Sequence, residues 1–146
     1  MLQPYSVEDG SLCRSNVPLL EIDYTLPFPE NTEAINLAFS ETIEKYKRLK
    51  RYLDQAVLGP IETKLLIHYT GSFSMCAFCN IKNALHGEGN CYIFCPVRDI
   101  CRGTGESTEY VDMRYILRDS IYPSKKKLLE AVDKLIIRLK RRQKNG

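Results

Sequence analysis

Residues 74–101, "SMCAFCNIKNALHGEGNCYIFCPVRDIC", hold five of the chain's six cysteines. Cys76 and Cys79 form a C-x2-C pair, Cys91 and Cys95 a C-x3-C pair, and Cys101 follows the second pair closely. Two thiolates two or three residues apart can face one ion from a tight turn, and two such turns complete a tetrahedron. The spacing therefore predicts a metal knuckle over residues 74–104, with Cys76, Cys79, Cys91, Cys95 and Cys101 competing for four places. Zinc favours sulfur and has no redox chemistry, which makes it the default occupant in a reducing compartment. Between the pairs, "NIKNALHGEGN" has room for a helical turn and a reversal at Gly87–Gly89 that returns the second pair to the first. His86 is a substitute ligand, although it reads more simply as the end of that turn. Cys13 is remote in sequence and reads as a buried thiol.

Two other occupants compete with zinc. Cys95-Pro96 is similar to the Cys-Pro that ends ferredoxin cluster-binding runs, so an iron–sulfur cluster is the alternative cofactor. A redox-active Cys76/Cys79 pair is the weaker reading, because the pair lacks a flanking strand and a long following helix.

Outward from the knuckle the pattern is helical. On the N-terminal side, Asn31 or Thr32 can cap a helix running over 31–58, with Ile35, Phe39, Ile43, Tyr46, Leu49, Leu53 and Val57 as one apolar stripe. Gly59–Pro60 supplies the stop. Lys45, Lys47, Arg48, Lys50 and Arg51 read as the opposite, solvated face. Residues 61–73 are expected to begin helical and end extended, with His68 half-buried. On the C-terminal side, residues 109–119 predict a short helix turning Val111, Tyr115, Ile116 and Leu117 inward. Ser124 opens a basic helix over 124–142, whose inner stripe is Leu128, Leu129, Val132, Leu135, Ile136 and Leu139. Its first turn carries Lys125, Lys126 and Lys127, where the helix dipole disfavours cations, and its end is expected to fray into a basic tail. Residues 1–30 hold four of the seven prolines and read as an extended arm with one short strand at Leu19–Leu26. The expected fold is mainly α: a single domain over residues 1–146 with two amphipathic helices flanking the knuckle.

Composition bounds the function. At 44 % hydrophobic and 27 % charged residues, the 146-residue chain is too apolar to be disordered throughout. No run approaches the roughly 18 apolar residues of a membrane span. The N-terminus lacks the basic-then-apolar grammar of a secretory leader, so a chain starting at Met1 is expected in the cytoplasm. The net charge of +3 conceals an acidic first thirty residues and nine bases against two acids over 124–146. The basic end is suited to an anionic partner.

"CAFC", "C", "CPV" and "CRGT" in succession resemble short phage and prophage proteins with a zinc-knuckle-like cysteine cluster. In these proteins C-x-L-C, C-x-G-C-P and C-x-G-T-P-Y follow one another between helices. The positions that match are Cys76, Cys79, Cys91, Cys95, Pro96, Cys101, Gly103 and Thr104. Here the second pair is C-x3-C and Gly105 stands where the pattern has proline. The resemblance implies a viral or mobile-element origin, hence the host-cell cytoplasm, and a metal knuckle. It carries no activity with it.

No H-E-x-x-H, phosphate-binding loop, nucleophile elbow or dinucleotide fingerprint is present. Four thiolates on zinc leave no position open for water, so the expected centre is structural rather than catalytic. The leading expectation is a small metal-stabilised module that binds nucleic acid through Lys134, Arg138, Lys140, Arg141 and Arg142. The first alternative is a phage-type protein that binds and inhibits or redirects a host protein, with residues 18–30 as a docking segment. The second is an iron–sulfur or thiol redox protein.

Overall fold

The computed structural model describes residues 22–71, 76–87, 89, 94–102, 107–119 and 122–145. Among these residues there are six helices and no strand: α1 (Thr32–Gln55), α2 (Pro60–Gly71), α3 (Ala77–His86), α4 (Arg98–Arg102), α5 (Glu109–Asp119) and α6 (Lys125–Asn145). The fold is mainly α, as expected. No helix among the described residues is long and apolar enough to cross a membrane.

Local chemistry sets the ends of α1. The Asn31 side chain accepts from the Ala34 N–H at 3.2 Å and donates to the Asp23 carbonyl at 2.9 Å. One buried amide thus caps the helix and fastens the preceding segment. The helix stops at Gln55 rather than Leu58, and Val57 lies beyond it at 88 % exposure, so the inner stripe ends at Leu53. Gly59–Pro60 is a start as well as a stop. Pro60 opens α2, the Glu62 carboxylate accepts the Gly59 N–H at 3.0 Å, and the Thr63 hydroxyl donates to the Gly59 carbonyl at 2.8 Å. Within the described residues, 61–71 are helical throughout, and His68 is exposed in the last turn. The expected extended end at 72–73 lies outside the described residues.

The arm differs from expectation. Residues 22–26 form a turn, in which the Asp23 carboxylate accepts from the Thr25 N–H at 2.9 Å and the Thr25 hydroxyl at 2.6 Å. An aspartate that satisfies the chain two residues on competes with extended pairing. Ile22 and Phe28 are buried, while Tyr24 and Leu26 face outward. Residues 19–21 of the expected strand lie outside the described residues.

Helices α1 and α6 are the central pair; α5 packs on α6, α3 on α1, and both α2 and α4 on α5. Because α1 meets both α6 and α3, it is buried along two rows rather than one. Alongside the expected stripe run Ala34, Ala38, Thr42 and Lys45, all buried. Phe78 of α3 meets the Phe39 ring edge-on at 5.0 Å, with Phe28 at 6.3 Å. On α5 the inner residues are Met113 and Leu117; Val111 and Ile116 are half-buried, and Tyr115 points outward at 67 % exposure.

Ser124 accepts from the Lys127 N–H at 3.2 Å and caps α6. The cations of its first turn have a partial explanation in the neighbouring helix. Lys125 Nζ donates to the Ala56 carbonyl at 2.7 Å, at the electronegative end of α1. The far end of α6 does not fray at residue 142 but stays helical to Asn145, with Gln143 reaching Ser40 Oγ at 3.3 Å.

Candidate metal centre and nucleic-acid face

Cys76 is the N-cap of α3 and Cys79 lies in its first turn, so the C-x2-C pair sits at the electropositive end of a helix. Cys101 comes from α4, whose first turn follows Cys95 and Pro96. Cys76, Cys79 and Cys101 line one cavity of about 80 Å³, closed by Lys45 and Tyr46 of α1 and Tyr110 of α5. Cys95, half-buried, is near enough to Cys79 to act on it electrostatically, as are Cys76 and Cys101. Three sulfurs, those of Cys76, Cys95 and Cys101, thus lie within electrostatic reach of Cys79. Cys91 and Cys13 lie outside the described residues.

The described cysteines are thiols, not disulfides. Among the described residues no group of three or more His, Cys, Asp or Glu side chains is drawn up close enough to hold an ion as it stands. The donor set nevertheless has the chemistry of a sulfur centre: three thiols on one cavity wall, a fourth at electrostatic range, and a cation among them.

That cation is Lys45. It is 2 % exposed, and its ammonium lies 5.0 Å from the Tyr69 ring centroid and 5.5 Å from that of Tyr46. Burial pushes its pKa down to about 8, against the pull of the Cys76 and Cys79 sulfurs and reinforced by the like charges of Arg48 and Arg114. The two thiols respond as partners in one proton. The hydrogen bond from Cys79 holds the Cys76 thiol below its ordinary range, against burial and with help from Lys45. The same bond, followed by burial, pushes Cys79 up. Cys76 is therefore the sulfur most ready to act as a thiolate.

Hydrogen bonds hold the walls in place. Tyr110 Oη donates to the Thr70 carbonyl at 2.6 Å, and Arg114 Nη1 reaches the Ile67 carbonyl at 2.6 Å and Thr70 Oγ1 at 3.1 Å. A side chain at Gly71 would meet the Arg114 guanidinium at 2.3 Å, which accounts for glycine there. Gly87 and Gly89, at the expected reversal, both have positive φ, 77° and 82°; residues 88 and 90–93 lie outside the described residues. Lys82, 3 % exposed, ties that turn by donating to the Gly87 carbonyl at 2.8 Å and the Gly89 carbonyl at 2.5 Å.

His86 has a structural task at the end of α3. Its Nε2 accepts the Phe28 N–H at 2.9 Å, and its ring stacks on Phe94 at 3.7 Å between centroids.

The basic face is smaller than the sequence suggests. Arg138 makes a bidentate pair with Glu109, Nε to Oε1 at 2.8 Å and Nη2 to Oε2 at 3.2 Å. Arg142 grips Asp99 at 2.5 and 3.2 Å and the Pro96 carbonyl at 3.2 Å, fastening α6 to the Cys95–Cys101 segment. Lys134, Lys140 and Arg141 remain exposed, and Lys134 and Arg141 border an open groove of about 730 Å³ along α6. On α1, Lys45 is interior, Lys47 and Arg48 are half-buried and Lys50 pairs with Asp133 at 2.8 Å, while Arg51 is exposed.

Lys45 and Lys82 are the residues that the sequence concealed. Lys45 stood in a basic run, yet the small residues Ala34, Ala38 and Thr42 mark the same helical row as a second buried face. Comparison with protein-family models, curated proteins and solved structures found no match to this chain.

Proposed function

We propose that this protein is a small helical binding module stabilised by a metal–thiolate centre, and that it binds nucleic acid through α6. Cys76, Cys79, Cys101 and one of Cys95 or Cys91 hold the metal, zinc in the first instance and an iron–sulfur cluster as the alternative. The observation that carries this reading is that Cys76 and Cys79 of α3 and Cys101 of α4 line one cavity together with Lys45, with Cys95 within electrostatic reach of Cys79. In this reading the metal supplies cross-linking between segments that have little core of their own, α4 being only five residues long.

Lys134, Lys140 and Arg141 supply exposed charge for phosphate, with Arg138 and Arg142 as ion-paired neighbours. Such contacts bind backbone without reading sequence. The test is fluorescence anisotropy with labelled single-stranded and duplex DNA and RNA at several salt concentrations. Replacing Lys140, Arg141 and Lys144 together by Gln should lower the slope of log K against log salt by about 2 to 3. Binding that is absent in low salt, or unchanged by the triple substitution, favours the host-protein alternative.

The position of Cys76 favours one second reading. A helix N-cap thiol, hydrogen-bonded by Cys79 and beside a buried ammonium, is also the microenvironment of a dithiol redox pair. Metal content separates the two: a redox pair cycles between dithiol and disulfide without metal, whereas the knuckle retains its ion.

A further inference from the structure

We infer that the cleft between α5 and α6 takes single-stranded nucleic acid, with phosphates on Lys134 and Arg141 and a base stacked on Tyr115. This rests on the nucleic-acid reading of α6 above and specifies which form of nucleic acid the face takes. Two adjoining cavities make up the cleft. In the groove of about 730 Å³, Lys134, Arg138, Arg141 and Arg142 stand against one carboxylate, Glu109, with Ile137 among them at 48 % exposure. A second cavity, of about 290 Å³, shares Glu109 and Lys134 with the first and continues to Tyr115, Ile116 and Ala131. The Tyr115 side chain that lines it is 67 % exposed.

Charge divides the cleft into two ends. Glu109 and Asp99 hold Arg138 and Arg142 in ion pairs, so the exposed Lys134 and Arg141 are the cations that meet phosphate. They stand seven residues apart, about 10.5 Å along the helix. That length matches roughly three steps of a stacked strand at about 3.4 Å each. The second cavity has the opposite character, because Asp112 and Glu130 stand there beside Tyr115. Carboxylates disfavour phosphate and accept from the N–H edges of a base, while the exposed ring offers it a stacking face. A duplex gains nothing from this arrangement. Its bases are paired inside, and an element that reaches them must protrude into a groove. Tyr115 and Ile137 instead line a concave cleft, which a single strand can enter with its bases turned inward.

The chain has no tryptophan, so Tyr115→Trp in the full-length protein places a sole fluorophore in the cleft. A single strand of about twelve nucleotides, within the usual site size, should quench its emission. The duplex of the same sequence and inorganic polyphosphate should not. Anisotropy at one fixed salt concentration should show the parent binding the strand at least about tenfold more tightly than the duplex. Tyr115→Ala should lower affinity for the strand about 5–100-fold, the effect of losing one base–aromatic contact. Its duplex affinity and its salt slope should stay at the parent values, because no phosphate contact is lost. Tyr115→Phe keeps the ring and should bind as the parent does. The exposed position of Tyr115 lets these variants fold, which far-ultraviolet circular dichroism checks. A duplex that binds or quenches as well as the strand would overturn the inference and leave the nucleic-acid reading intact. So would a Tyr115→Ala affinity for the strand within about twofold of the parent. Binding of neither form in low salt removes the nucleic-acid reading itself, and the inference with it.

Discussion

Lys82→Met offers a direct measure of how firmly the turn between the two cysteine pairs is held. The parent ammonium donates to two carbonyls, Gly87 O at 2.8 Å and Gly89 O at 2.5 Å, from a side chain that is 3 % exposed. Hydrogen bonds from a charged donor contribute about 1.5–3 kcal/mol each, so the pair is worth about 3–6 kcal/mol before compensation. Gly87 and Gly89 are exposed, and their carbonyls can turn to water once the donor is gone. Methionine fills the space of the stem and needs no desolvation of charge. A net loss of about 2 kcal/mol is expected, equivalent to a melting temperature lower by about 4–8 °C for a domain of this size. Urea denaturation followed by far-ultraviolet circular dichroism, in chelator, reads the stability without a metal contribution. The midpoint should fall with the slope unchanged. Hydrogen exchange should show faster opening at the end of α3 than in α1. A loss below about 0.5 kcal/mol would mean that the two carbonyl contacts do not hold the chain after α3.

Two other outcomes are expected. His86→Ala removes the acceptor of the Phe28 N–H, and since Phe28 is fully buried the cost should be about 1–3 kcal/mol in denaturant melts. Metal stoichiometry should not change, and a lost equivalent of metal would make His86 a ligand after all. For Glu109, burial raises the carboxyl pKa, but the Arg138 hydrogen bond, the backbone N–H of Glu109 and the charges of Arg138 and Lys134 together outweigh it, and the net shift is downward from 4.5. A depressed folded pKa stabilises above about pH 4.5 and loses that contribution as pH falls through the folded value. With Arg138 42 % exposed the effect is discounted to below about 1 kcal/mol. Stability curves of the parent and Glu109→Gln between pH 3 and 6 should converge at the acid end, and parallel curves would contradict the pairing.

Much of this fold is legible in residues whose signals are local. Asn31 and Ser124 start α1 and α6 because their side chains satisfy helix N–H groups regardless of what surrounds them. Gly87 and Gly89 mark the reversal because only glycine adopts their backbone conformation at little cost. What depends on neighbours is not legible in the same way. Val57 and Tyr115 fit an apolar period yet lie outside, because the helix ends before one and packs along Met113 and Leu117 rather than the other. Lys45 sits in a basic run, and only the meeting of α1 with α3 as well as α6 turns it inward. Arg138 and Arg142 look like phosphate contacts until Glu109 and Asp99, 29 and 43 positions away in the chain, come opposite them. The spacing of Cys76 and Cys79 is a sequence property, but their meeting with Cys101 and Lys45 on one cavity is a property of the packing.

The most direct measurement is metal content. The chain purified without oxygen and examined by native mass spectrometry, with elemental analysis for zinc and iron, should carry one metal centre per folded chain. Chelation should loosen the α3–α4 region while α1 and α6 stay helical. A fully folded, fully reduced protein with neither metal would contradict the proposal that these sulfurs share an ion.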